Sequence, residues 1–167
     1  MATLADFDLL ASRLPALAGL SAQDRQSLAN QTLVVEADSG VIVVARNEVS
    51  DAAYFILSGR AVAGRLEGDE YQLLETLNPG DFFGEIAALT GIPRTANVIT
   101  EEPTTLLQAP AAAVRQMMAN PQLNRVFLTK MTERMVRMNM IDAPRYSGLD
   151  QQALRELRTA PPEPSGA

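Results

Sequence analysis

Cysteine, histidine and tryptophan are all missing from this chain of 167 residues, and lysine occurs once. Without cysteine there is no disulfide framework, no thiolate-held iron–sulfur cluster and no nucleophilic thiol. Without histidine the chain lacks the commonest metal ligand, the usual haem ligand and the usual general base at neutral pH. No group of Asp and Glu has the spacing of a calcium loop. Most enzyme classes fall at this step, and a non-catalytic function is expected. Long apolar runs are absent as well. None approaches the roughly 20 residues of a membrane-spanning helix, and the amino terminus lacks the basic-then-apolar layout of a secretory signal. A cytoplasmic protein, or a cytosolic domain of a larger one, is expected.

What the chain does have is apolar substance, 47% of its residues, enough for one domain with a real core. Its formal charge of −6 is uneven: residues 1–120 hold seven Arg against fifteen Asp plus Glu, and residues 121–167 hold seven basic against five acidic side chains. Phosphate-backbone binding depends on clustered Lys and Arg, so general nucleic-acid affinity is disfavoured.

Residues 1–30 read as a helical lead-in, with Pro15 and Gly19 breaking it into a short helix and a second one, and "SAQD" at 21–24 has the form of a capping box. Over 31–110 the character changes. β-branched and aromatic runs, "TLVVE", "VIVVA", "AYFIL", "RAVAGRL", "YQLLETL", "ANVIT" and "TTLLQ", alternate with turn clusters, and Gly40, Gly59, Gly68 and Gly80 fall where turns need positive φ. The pattern predicts an antiparallel sandwich, roll or barrel, with "EGD" at 67–69 as its clearest hairpin. Helical period returns over 111–141. A break at Asn120-Pro121 precedes a helix that places Leu123, Phe127, Met131, Met135, Met138 and Ile141 on one face, a stripe suited to a core or a dimer surface. Asp142, Pro144 and Gly148 are expected to end that helix, leaving 142–167 as a last short helix and a disordered tail.

The stretch "FFGEIAALTGIPRTA", residues 82–96, carries the chemistry. Gly84 opens a short helix, and the small Ala87 and Ala88 leave its first amides accessible to an anion. Arg94 adds a planar fork of donors matched to phosphate oxygens. Glu85 is discordant beside a phosphate unless it accepts from a neutral hydroxyl of the same ligand, such as a ribose 2′-OH. An anion next to a sugar hydroxyl is a nucleotide. One arginine and a helix start neutralise about one negative charge, and there is no "GxxxxGK[ST]" loop, which argues against a triphosphate.

These residues resemble the phosphate-binding cassette of the cyclic-nucleotide-binding domain family, which includes the catabolite activator protein, the regulatory subunits of the cyclic-AMP-dependent kinase and cyclic-nucleotide-gated channels. The likeness covers "FGE", the Ala-rich helix, "PR" and "TA", runs upstream through "YFILSGRAV" and "LNPGDFFGE", and takes in "LPALAGLSAQDRQSLA" and the helices after Pro110, about residues 9–141 in all. The resemblance implies a mainly β fold with flanking helices: an antiparallel, jelly-roll-like β-roll, preceded by short helices and followed by hinge and lid helices. It implies a ligand site made by Phe83, Gly84, Glu85, Ile86, Ala87, Arg94, Thr95 and Ala96. Glu85 would take the ribose 2′-OH, Arg94 the cyclic phosphate, and amides near Ile86 and Ala87 would complete the cradle. Thr95 would lie beside phosphate and purine, with cyclic AMP as the favoured ligand and cyclic GMP the alternative. The family's glycine near the end of the second strand is replaced by "ARNEVSDAAYF", where Asn47 is expected to take positive φ. Ala88 stands where a larger apolar residue is usual, which predicts looser packing below the phosphate.

The resulting expectation is a sensor domain that binds a cyclic nucleotide and passes occupancy to its carboxy-terminal helices, the long one closing over the base. It would act on a partner protein or within a larger polypeptide, without contacting DNA, with a homodimer through 121–141 as an option. The main alternative is a degenerate domain that keeps the fold, binds no ligand and serves dimerisation or protein interaction. Taken alone, Glu85 and Arg94 also read as a surface ion pair. A catalytic cupin-like barrel would share the strand pattern but needs the histidines this chain lacks.

Overall fold

A computed structural model describes residues 1–146. It divides into two compact units, Met1–Thr129 and the chain from Lys130 on. The amino-terminal region contains α1 (Leu4–Arg13), a single 3-10 turn over Pro15–Gly19 and α2 (Ala22–Gln31), so the break expected at Pro15 and Gly19 is present. Ser21 caps α2 by accepting from the Asp24 amide. The two-way box forms at Thr3 and Asp6, where each side chain accepts from the other's main-chain N–H.

The strands are β1 (Leu33–Ala37), β2 (Ile42–Val44), β3 (Ala53–Ser58), β4 (Ala61–Glu67), β5 (Glu70–Leu77), β6 (Phe82–Phe83), β7 (Asn97–Thr100) and β8 (Thr104–Ala109). They make two four-stranded sheets, β1-β8-β3-β6 and β2-β7-β4-β5, with antiparallel pairing throughout. This is the mainly β roll with flanking helices. The hairpin at "EGD" closes with Glu67 opposite Glu70, and Gly40, Gly59, Gly68 and Gly80 all have positive φ.

In the first sheet β8, β3 and β6 are buried on both faces while the edge strand β1 is partly exposed, which explains why β3 and β8 read as almost continuous apolar runs. Side chains alternate across a strand. Phe55 and Leu57 of β3, Leu107 and Ala109 of β8 and Phe82 of β6 therefore join Phe7, Leu10, Leu17, Leu28, Val114, Met117, Leu123 and Phe127 in a core shared with the helices. Their neighbours Ile56, Leu106 and Phe83 turn the other way, into the roll, and meet Val44, Ala61, Leu77 and Val98. The second sheet has one wet face, where Ile42, Leu66, Tyr71 and Leu73 are exposed. Ala88 lies in the helix-side core.

Between β6 and β7 lies α3 (Glu85–Thr90), and after β8 come α4 (Ala111–Met118) and α5 (Pro121–Tyr146). Asn120 caps α5 by accepting from the Gln122 and Leu123 amides. On α5 the expected stripe is split: Leu123 and Phe127 are fully buried, while Met135 is half exposed. The helix also passes through Asp142 and Pro144, where a break was expected, and ends at Tyr146. The proline removes one N–H in the last turn, and the bond it forfeits would have gone to Met140, a residue exposed enough for water to replace it. Gly148, the last short helix and the tail fall outside the described residues.

Phe127 anchors α5 to the first sheet. Its ring centroid lies 4.7 Å from that of Phe82 and 6.1 Å, edge-on, from that of Phe55. Phe127→Ala is expected to destabilise the domain by about 3–5 kcal/mol, read as a lower denaturation midpoint. A shift below about 1 kcal/mol would show that α5 is not held through this ring.

Candidate functional site

The site is assembled at one end of the roll, where β6 stops, β3 begins and β7 has yet to start. Phe83 is buried and stacks on Tyr54 with centroids 5.1 Å apart, so its side chain is roll core. The chain then turns at Gly84, whose φ of +81° starts α3 in the left-handed region. A side chain is barred there twice over. L-residues disfavour that φ, and a Cβ would lie 2.5 Å from Arg94 Nη1 and 2.8 Å from the Ala52 carbonyl oxygen. Glu85, Ile86 and Ala87 form the first turn of α3 and are buried. The first i→i−4 bond of that helix runs from the Ala88 amide to the Gly84 carbonyl at 3.0 Å, so the amides before Ala88 precede the intrahelical ladder.

Arg94 arrives from the coil beyond α3 and is 4% exposed, while Glu85 is 1% exposed. A loose surface ion pair is thereby ruled out for these two residues. The guanidinium donates from Nη1 to the Gly84 carbonyl at 3.0 Å and from Nη2 to the Ala52 carbonyl at 2.6 Å. Its Nε–H is buried and has no protein acceptor. Burial pushes the Arg94 pKa down, and the nearby Tyr54, Glu48, Glu85 and Asp51 oppose that shift. Tyr54 is pushed up, chiefly by its own burial, with Arg94 acting against the rise.

The main chain of Arg94 is fixed as firmly as its side chain. Its carbonyl accepts from Asn47 N–H at 2.8 Å and its N–H donates to the Glu48 carbonyl at 2.9 Å. Asn47 has φ of +71°, the one non-glycine residue with positive φ among the described residues, as expected for the replaced loop glycine. Thr95 and Ala96 follow, half-buried, in the bend that leads into β7.

The structure thus brings Gly84, Glu85 and Arg94 together and sets Ile86 and Ala87 in the same turn. Phe83 precedes Gly84 and stacks on Tyr54. Three participants were not foreseen: the Ala52 carbonyl, the Tyr54 ring and the Glu48 backbone. Tyr54 was visible as an aromatic on an alternating strand, but a main-chain carbonyl leaves no trace in sequence. Among the described residues no cluster of acidic side chains is arranged to hold a metal.

Gly84→Ala would test this geometry. The substitution is expected to cost about 1–3 kcal/mol through backbone strain and to displace the Arg94 guanidinium. A melting curve that overlays the parent's would mean that neither the turn nor the close approach is required.

The profile of the cyclic nucleotide-binding domain matches residues 34–120. A cAMP-dependent protein kinase regulatory subunit of Yarrowia lipolytica is 33% identical over 92 residues, 55% of this chain and 24% of that subunit. The chain therefore spans well under half of that relative. A structure of the regulatory domain of Toxoplasma gondii PKA with cAMP superposes with a TM-score of 0.67 at 23% identity, over 78% of this chain and 50% of that one, and bears on the fold alone. The sensor domain of the transcriptional regulator DNR from Pseudomonas aeruginosa superposes with a TM-score of 0.64 at 26% identity, over 77% of this chain and 87% of that one. With a two-sheet roll and a Gly84–Glu85…Arg94 cassette inside the matched segment, the chain belongs to the cyclic nucleotide-binding domain family.

Proposed function

We propose that the roll binds a 3′,5′-cyclic nucleoside monophosphate, with cyclic AMP as the preferred ligand, and that occupancy is passed to α4 and α5. One observation carries the reading. Arg94 is a buried cation whose hydrogen bonds go to two neutral carbonyl oxygens, and its Nε–H is left with no protein acceptor. A buried guanidinium in that state is costly, and a singly charged phosphodiester would supply what it lacks. The helix-start amides of Ile86 and Ala87 lie in the same turn as Gly84, whose carbonyl accepts from Arg94, and Glu85, buried in that turn, would accept from a sugar hydroxyl. Thr95 and Ala96 border this arrangement. The yeast relative is named as cAMP-dependent, which supports the choice of adenine.

Transmission has a physical route. Phe82, two residues before Gly84, turns out of the roll and touches Phe127 of α5. A shift of the β6–α3 turn on binding would move that contact, and a ligand shifts a conformational equilibrium only through contacts that differ between states. The output is then a partner protein or a further part of a larger polypeptide. DNA is not the expected target, and a homodimer through 121–141 would be one form of output.

A second reading uses the same two bonds. If Arg94 serves only to pin Ala52 to Gly84, the domain is a ligand-free interaction module. Calorimetry with cyclic AMP and cyclic GMP separates the two. The sensor reading expects saturable heat, and Arg94→Ala should weaken binding by about 1.5–3 kcal/mol. Absence of heat with either nucleotide, with Arg94→Ala lowering only the melting temperature, would establish the module instead.

A further inference from the structure

The outer face of the second sheet is apolar, where an antiparallel sheet that meets water ordinarily turns polar side chains out. Register defines that face. Ile42 of β2 stands opposite Ile99 of β7, and Ile99 opposite Val62 of β4. Further along, Gly64 is opposite Leu73 of β5, and Leu66 opposite Tyr71. Ala61 and Val98 belong to the roll core, so their neighbours Val62 and Ile99 face away from it. Ile42, Leu66 and Leu73 are 60%, 58% and 59% exposed. A Cβ at Gly64 would collide with the Tyr71 ring, which lies across the glycine and extends the apolar surface.

A contiguous patch of this kind marks a contact surface, and the charge beside it sets the kind of contact. The β4–β5 hairpin at its end carries Glu67, Asp69 and Glu70, and residues 1–120 as a whole hold seven Arg against fifteen Asp plus Glu. An anionic lipid surface or a nucleic acid would be repelled, which leaves a segment that is apolar and cationic together. The chain has one of its own. Over 121–141, α5 carries Arg125, Lys130, Arg134 and Arg137, with Glu133 as the single acid. Leu128, Met131 and Met135 follow one another at steps of three and four, so they share one side of that helix. Leu128 and Met135 are half exposed.

We infer that the outer face of the second sheet takes α5 of a second copy of this chain. Opposite charge draws the cationic helix to the acidic hairpin, and the apolar side chains of both then leave water together. Methionines, unbranched and adaptable, suit a face built from branched residues. Two unlike patches on one chain pair reciprocally about a two-fold axis, so that each copy gives its helix and receives the other's. The contact is then made twice, which doubles the area that one face alone could bury. The pairing does not depend on a nucleotide, since Ile42, Leu66 and Leu73 lie on the side of the sheet turned away from the roll interior.

Sedimentation equilibrium of the full chain tests this. The parent is expected to dimerise. Leu73→Glu on the face and Met135→Glu on the helix both replace exposed side chains, which keeps the fold, and each alone should raise the dimer dissociation constant about tenfold or more. Mixed in equal amounts, the two variants should pair again, because the Met135→Glu chain still offers an intact face and the Leu73→Glu chain an intact helix. A monomeric parent overturns the inference. So does a Leu73→Glu chain that dimerises like the parent, which would mean helix-on-helix pairing, and so does a Met135→Glu chain that does the same, which would mean face-on-face pairing. If both variants lose pairing and their mixture fails to recover it, the two patches do not meet each other and the inference is equally wrong.

Discussion

The guanidinium of Arg94, buried and shared between two carbonyl oxygens, is the contact on which the rest of the site depends. It joins the start of β3 at Ala52 to the β6–α3 turn at Gly84, and through its own backbone it holds the Asn47–Glu48 loop. Three segments distant in sequence are thereby drawn to one point. Carbonyl dipoles satisfy a cation incompletely, since they supply no countercharge inside a medium that screens poorly. The same arrangement that closes the fold thus leaves the Arg94 Nε–H buried without a protein acceptor, with Glu48, Glu85 and Asp51 nearby to offset part of the cost of burial. Gly84 is essential here because any side chain would occupy the space the guanidinium uses.

The second constraint is that β3, β6 and β8 are buried on both faces. Adjacent phenylalanines on β6 serve different cores, Phe83 against Tyr54 inside the roll and Phe82 against Phe127 on the helix side. Alternation along a strand makes this unavoidable: whatever moves the end of β6 moves both cores. A densely packed interior does not absorb such a shift gradually. The β6–α3 turn and the start of α5 are therefore adjacent through one strand, although the roll-facing and helix-facing side chains belong to separate cores.

Much of this was legible in the sequence, and what was not has identifiable causes. Seven strands and their turns could be read because β-branched runs between glycines leave a period that local chemistry sets, and Asn47 could be singled out because few other residues tolerate positive φ. β6 was missed as a strand, since two residues, Phe82 and Phe83, show no period at all. The Ala52 carbonyl was invisible because it is backbone, 42 residues from Arg94. The burial of Arg65 was not read either: positions 61, 63 and 65 share a face of β4, yet an arginine there looks like ordinary surface charge until its 4% exposure is known. Pro144 misled because its penalty depends on where the lost hydrogen bond falls, and at the last turn of an exposed helix that penalty is small.

The most direct test follows the Arg94 Nε–H itself. With ¹⁵N-labelled protein, its side-chain resonance can be tracked by NMR while cyclic AMP is added, with Arg94→Lys used for assignment. The account predicts a downfield shift of the Nε proton and slower exchange with water as the buried donor gains a phosphate oxygen, saturating in step with the bound fraction. A resonance that stays in place while the nucleotide binds would show that the guanidinium remains on its two carbonyls and that the phosphate is held elsewhere.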